Sequence, residues 1–256
     1  MTSTAVDPGR WLRRFHPAPK AATERLLLFP HAGGAASFYL PYSATLSGRF
    51  DVLAVQYPGR QERRSEAQVS EIGALAEQIA EALAGPDDRP LTFFGHSMGA
   101  IVAYEVALRL ERAGRPAPAH LFASGRRAPS RYREERIHQR DAAGVLAEVV
   151  ELGGTDPAVL RDPELVAMVM PALRADYTAI ESYRHRPGQR VTCPITAIVG
   201  DADPRTTEEE ARAWAEHTSG PFALHKLPGD HFYLVAGKDA VVRILDQQLS
   251  SPVRPR

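Results

Sequence analysis

The stretch LTFFGHSMGAIVAYEVA, Leu91 to Ala107, runs an apolar segment into a serine flanked by two glycines and then into residues spaced as a helix. A strand that passes into a helix within three residues needs a tight turn with strained dihedral angles at its middle residue. Gly95 and Gly99 supply the steric permission for that turn, because a side chain at either position would meet neighbouring backbone where strand and helix approach. The pattern G-x-S-x-G therefore reads as a nucleophile elbow, with the Ser97 hydroxyl pushed outward near a helix amino terminus. The three fixed positions alone are a weak signal. The apolar LTFF before them and the helical AIVAYEVALRLERAG after them, ending at Gly114, are the context that the motif requires.

The rest of the chain repeats this alternation. Short apolar runs predict strands at Leu26–Phe29, Val52–Val55, Leu91–Phe94, His120–Ala123, Ile195–Val199 and Phe222–Lys226, with amphipathic helices between them. One such helix carries Ile72, Leu75, Ile79 and Leu83 at three-to-four spacing and is stopped by Gly85 and Pro86. The order implies a mostly parallel central sheet flanked by helices, an α/β class of fold. From about 126 to 190 the alternation breaks, leaving helical patterns around Val145–Leu152, Leu165–Met170 and Leu173–Tyr183 without a convincing strand; the expectation is a helical lid inserted over the sheet. A length of 256 residues suits one domain, 1–256, with no obvious linker, and Pro252–Pro255 reads as a frayed tail.

Composition narrows the partners. Lys+Arg and Asp+Glu balance at 31 each, which removes the general field that would attract nucleic acid or an anionic membrane surface. The locally basic GRRAPSRYREERIHQR reads first as a solvated face. A single cysteine, Cys193, excludes an internal disulfide framework and is expected to pack. Neither a secretion signal nor a run long enough to span a bilayer is present, so the cytoplasm is the expected location.

A serine hydroxyl is a poor nucleophile at neutral pH unless a base takes its proton, and that base needs an orienting partner. In α/β-hydrolases the chain order is serine, acid, histidine, each in a loop after a strand. PITAIVGDADP places Asp201 and Asp203 after one strand, and FALHKLPGDHFYL places His231 after the next. His217 falls at a helix and His225 inside a strand, leaving His231; between the two aspartates the local sequence does not choose. For the oxyanion of acyl transfer, the elbow geometry offers the backbone N–H of Met98, and the loop LLLFPHAGG offers that of Ala32, with Gly33 and Gly34 keeping the loop close.

With these residues in place, the chain resembles the type II thioesterases of polyketide and nonribosomal peptide biosynthesis, members of the α/β-hydrolase superfamily. The likeness runs nearly end to end through WLRRF, LFPHAGG, VQYPGRQERRSE, FFGHSMGAIVAYEVA, GDADPRTT and LPGDHFYL. It implies Asp203 as the acid completing a triad with Ser97 and His231, and Asp201 as a turn residue. It implies hydrolysis of acyl thioesters held on the phosphopantetheine arm of acyl or peptidyl carrier proteins, through an acyl-enzyme, with no cofactor or metal and a monomeric enzyme. His31, His96 and Phe232, with Met168, Met170 and Leu173 in the lid, are expected to touch substrate. Arg126, Arg127, Arg131 and Arg133 are expected to meet an acidic carrier. A carboxylesterase or acyl-coenzyme A thioesterase would share the triad, and a noncatalytic binding protein of the same fold is the reading outside enzymes.

Overall fold

The computed structural model describes residues 7–154 and 162–250, so the expected tail at 252–255 lies outside the described residues. Seven strands form one sheet: β1 (Leu12–Arg13), β2 (Arg25–Phe29), β3 (Asp51–Val55), β4 (Leu91–His96), β5 (His120–Ser124), β6 (Ile195–Gly200) and β7 (Phe222–Leu227), in the order β1-β3-β2-β4-β5-β6-β7. The six expected strands are all present and mutually parallel. The addition is β1, antiparallel to β3 with Leu12 opposite Val55. Two residues are too few to show a period of two, so nothing in the sequence marked it.

Parallel strands buried on both faces carry continuous apolar runs, and β2 shows why. Leu27 and Phe29 enter one core cluster, Leu26 and Leu28 the other, because successive side chains point to opposite faces. The first cluster packs under α3 (Ile72–Ala82) and α4 (Met98–Arg112), following the short α1 (Pro8–Trp11) and α2 (Leu40–Leu46) in the chain. In α3 the buried residues Ile72, Leu75, Ala76 and Ile79 form the stripe expected of a sheet-covering helix. Cys193 is buried in this cluster, and burial pushes its thiol up to about 12, as a packing role requires.

Between β5 and β6 the chain leaves the sheet and forms α5 (Ala142–Leu152) and α6 (Pro163–Ser182). Asp162 caps α6, accepting hydrogen bonds from the N–H groups of Glu164 and Leu165 at 2.9 and 3.3 Å, with Pro163 at the first helical position. Here the structure corrects the sequence reading: Leu165–Met170 and Leu173–Tyr183 are not two helices, since α6 runs through Pro171. Proline forfeits one backbone hydrogen bond. Burial of Leu173, Tyr177 and Ile180 anchors the carboxyl half of the same helix and offsets that loss. Beyond β6 follow α7 (Glu208–Arg212), α8 (Tyr233–Ala236) and α9 (Lys238–Ser250). This is the α/β-hydrolase architecture with a helical lid.

Candidate active site

Ser97 occupies the turn between β4 and α4 with φ 54° and ψ −119°, the strained conformation of an elbow. Its backbone N–H donates to the Ser124 carbonyl at 2.8 Å, which ties the turn to β5. A Cβ on Gly95 would lie 2.3 Å from the Gly99 carbonyl oxygen, and one on Gly99 would lie 2.1 Å from that of Phe29. Both obstacles are backbone, so no side chain can turn aside. Gly99→Ala is therefore expected to destabilise the fold by about 3 kcal/mol or more, lowering Tm by roughly 6 °C or more in a thermal melt; an unchanged Tm would contradict the close approach of α4 to β2.

The loop after β6 separates the two aspartates between which the local pattern did not choose, and it sets against the histidine the one that the resemblance implied. Asp203, its side chain fully buried, faces His231, whose Nδ1–H donates to Oδ1 and Oδ2 at 3.1 and 3.0 Å. Asp203 Oδ1 also accepts the Arg205 N–H at 2.8 Å, which fixes the carboxylate. Asp201 instead accepts the Gly229 N–H at 2.9 Å, and Asp230 accepts that of Phe232 at 2.9 Å, so both serve turns. With Nδ1 committed to Asp203, the lone pair of His231 sits on Nε2. Ser97 and His231 line one chamber, and in this state no hydrogen bond joins Oγ to Nε2. Such contacts often tighten only when substrate is bound.

Two backbone N–H groups flank the serine. Met98 is the first residue of α4, where the N–H has no partner within the helix. Ala32 lies on the loop after β2, whose shape is set by a Gly34 N–H to His31 carbonyl bond of 2.9 Å and by Gly33 at φ 76°. A Cβ on Gly34 would lie 2.9 Å from the His31 ring. Asp176 of α6 accepts the Gly33 N–H at 2.7 Å and is ion-paired with Arg60, both side chains being buried. These two residues, which couple the lid helix to the loop after β2, were assigned no role from the sequence. The available signal was Arg60 within VQYPGRQERRSE.

The ring of His96 packs beside those of His231 and His31, with centroids 5.1 and 6.1 Å away. Tyr233 OH donates to the Ile198 carbonyl at 3.1 Å, so Ser124 Oγ–H donates to Tyr233 at 2.6 Å and His96 Nδ1–H donates to Ser124 at 2.9 Å. Burial holds His96 well below the usual histidine range, and holds His31, 8% exposed between the rings of Phe38 and Phe232, down to about 3. His217 and His120 are likewise lowered, to about 3 and about 4, by burial. Exposed histidines take up protons near pH 6.5, roughly, so below that value the unfolded chain binds more protons than the folded one and stability falls as pH falls. Melts at pH ~7.5 and ~5.5 are expected to differ by about 5 °C or more, the acidic one lower. Equal values would mean that these rings protonate without unfolding.

The chamber, about 1000 Å³ with its open mouth, is walled by sheet loops and lid together, including Val149, Leu152, Val169, Leu173, Tyr177 and Phe232. Of the residues expected to touch substrate, His31, Leu173 and Phe232 line it, while His96 lies below it. Met168 is 54% exposed and Met170 packs against the core cluster, so the expected methionine lining is replaced by Val169 and Leu173, one helix face around. The arginine cluster also departs from expectation. Arg126 and Arg127 face the chamber, Arg131 pairs with Glu216, and Arg133 pairs with Glu210 at 2.6 Å, so the four do not form one free carrier-facing patch.

Residues 24–249 match the thioesterase domain family. The chain is 51% identical over 248 residues to a probable cadicidin biosynthesis thioesterase of Streptomyces griseus, spanning 96% of this chain and 68% of that protein. It is 48% identical over 230 residues to Thioesterase PikA5 of Streptomyces venezuelae, spanning 90% of this chain and 82% of that protein. Among solved structures, the type II thioesterase BorB from the borrelidin biosynthetic cluster superposes with a TM-score of 0.87 at 47% identity, covering 96% of this chain and 100% of that one. No helix among the described residues is long and apolar enough to cross a membrane.

Proposed function

The chain belongs to the thioesterase domain family, and on that premise we propose that it hydrolyses acyl groups from the phosphopantetheine arms of acyl or peptidyl carrier proteins in polyketide or nonribosomal peptide assembly, Ser97 acting as nucleophile, His231 as base and Asp203 as its orienting acid. The observation that carries this reading is the convergence of a strained serine and an aspartate-held histidine, from three separate loops, in one lidded chamber. A chamber of this kind accommodates an acyl chain and the end of a slender arm.

Ser97 Oγ attacks the thioester carbonyl carbon while His231 Nε2 takes the hydroxyl proton, and the imidazolium is held by Asp203. The carbonyl oxygen gains the negative charge and is met by the N–H groups of Ala32 and Met98. Collapse of the tetrahedral species breaks the carbon–sulfur bond, and His231 returns its proton to the departing sulfur. The acyl-serine is then attacked by water, which gives its proton to His231. A second collapse breaks the carbon–Oγ bond, His231 returns its proton to Oγ, and the carboxylic acid leaves with Ser97 restored. The residues here supply the nucleophile, base and oxyanion donors by themselves, so no cofactor is proposed. A monomer is the proposed working unit.

The test is kcat/KM for one acyl group presented three ways: on a carrier protein, on coenzyme A and as a simple oxygen ester. The carrier is expected to be the best substrate. Equal or better turnover of the coenzyme A thioester would make this an acyl-coenzyme A thioesterase, and a preference for the oxygen ester would make it a carboxylesterase.

A further inference from the structure

The chamber has two kinds of wall. Beside the apolar residues stand six ionic side chains, Arg126, Arg127, Glu135, Glu148, Glu181 and Arg205. Five of them have partners. Arg127 is paired with Glu135, Arg205 with Glu148, and Glu148 also with Arg140 at 3.3 Å. Glu181 accepts the N–H groups of Ile137 and His138 at 2.8 and 3.1 Å. Arg126 has none: among the described residues its guanidinium makes neither a hydrogen bond nor an ion pair, and its Nε is buried without an acceptor. Its carbonyl is the part that is used, accepting from Trp214 Nε1 at 2.8 Å.

Burial lowers the Arg126 guanidinium to about 9, with Arg127 adding repulsion, and that still leaves it cationic at neutral pH. Among the surrounding charges, Arg127 and Arg133 oppose what Glu135 and Glu210 favour. A half-buried arginine whose Nε has lost water and found no acceptor carries an uncompensated desolvation cost. Such a cost persists in a fold where something other than the fold supplies the anion. The side chain also forms part of the partition between the catalytic chamber and a smaller recess beside Ile101 and Tyr183, so it is not a surface group folded inward.

We propose that Arg126 is a recognition site inside the acyl chamber for a carboxylate at the far end of the acyl group, which places ω-carboxyacyl thioesters within the substrate class of this enzyme. The proposal rests on the thioesterase reading and narrows its substrate. A planar guanidinium with its own fold partners absent is suited to a bidentate carboxylate, and the pair would be formed in a largely water-excluded wall where charge-assisted hydrogen bonds are strong.

The experiment compares chains of equal length that differ in one end group: succinyl against butyryl, and malonyl against propionyl, each as the N-acetylcysteamine thioester, which carries no phosphate. The succinyl-to-butyryl ratio of kcat/KM is expected to fall by about 10- to 100-fold in Arg126→Met and to recover in part in Arg126→Lys. A ratio unchanged in Arg126→Met overturns the proposal. So does a loss that is equal for both acyl groups, or one that appears only with phosphopantetheine thioesters, since the latter would assign Arg126 to the arm's phosphate. Direct binding of the two thioesters to Ser97→Ala protein, whose Arg126 is intact, gives a second readout independent of any folding defect in the Arg126 variants. Tighter binding of the succinyl compound is expected there, and equal binding overturns the proposal. Absence of wild-type turnover on butyryl and succinyl thioesters alike would instead count against the thioesterase reading itself.

Discussion

Ser97→Ala is expected to lower kcat for acyl-thioester hydrolysis by about ten-thousand-fold or more while leaving the folded protein intact. In the proposed mechanism the hydroxyl oxygen forms the covalent bond, and no other nucleophilic side chain is on the elbow. What would remain is the effect of the chamber and of the proposed oxyanion donors Ala32 and Met98 on direct attack by water, so a residual rate above zero is expected. The fold should be indifferent. Ser97 Oγ makes no hydrogen bond within the described residues, and alanine suffers the same φ of 54° as serine. A melt within about 2 °C of wild type, together with the lost turnover, is the expected pair of results. Retention of more than a tenth of the activity would remove Ser97 from the chemistry. Ser97→Gly adds an independent check on the strain: it should be equally inactive yet more stable by about 1 kcal/mol, because glycine occupies that dihedral region at little cost.

Asp203→Asn should lower kcat by about ten-thousand-fold as well, and for a different reason. The carboxylate accepts the His231 Nδ1 proton at 3.0 Å and so leaves the lone pair on Nε2. An asparagine amide can present its N–H₂ to Nδ1 in the same place. It would then favour the tautomer with the proton on Nε2, and the base would have nothing with which to take the serine proton. Asp201→Asn, two residues away, is the control: its Oδ1 meets only the Gly229 N–H, so kcat should stay within about threefold and the cost should be about 1 kcal/mol of stability. A strong activity loss in Asp201→Asn with little loss in Asp203→Asn would reverse the assignment. The pH profile offers a further readout, since Asp203→Asn should alter the titration of the base seen in kcat/KM.

Both experiments turn on positions of unequal legibility. The elbow could be read from seventeen residues because every requirement it has is local: a strand, two missing side chains and a helix must follow one another in the chain. The strands β2 to β6 were legible for the same kind of reason, since strands buried on both faces carry mostly apolar runs, whereas the half-buried β7 takes His225 and Lys226 into its run. The two-residue β1 and the passage of α6 through Pro171 were not, one being too short to carry a period and the other held by contacts made far along the helix.

The chain by itself determined the fold class, the serine and the order of the groups that serve it, because backbone sterics and hydrophobic periodicity act between neighbours. Only the tertiary structure set Asp203 against His231 and Asp201 in a turn, put Met168 outside the chamber, drew Asp176 and Arg60 onto the loop after β2 and left Arg126 without a partner among the described residues. Those outcomes depend on which side chains meet across distances of tens to more than a hundred residues. Hydrogen bonding and desolvation in a buried site are set by that meeting, and no local pattern encodes it.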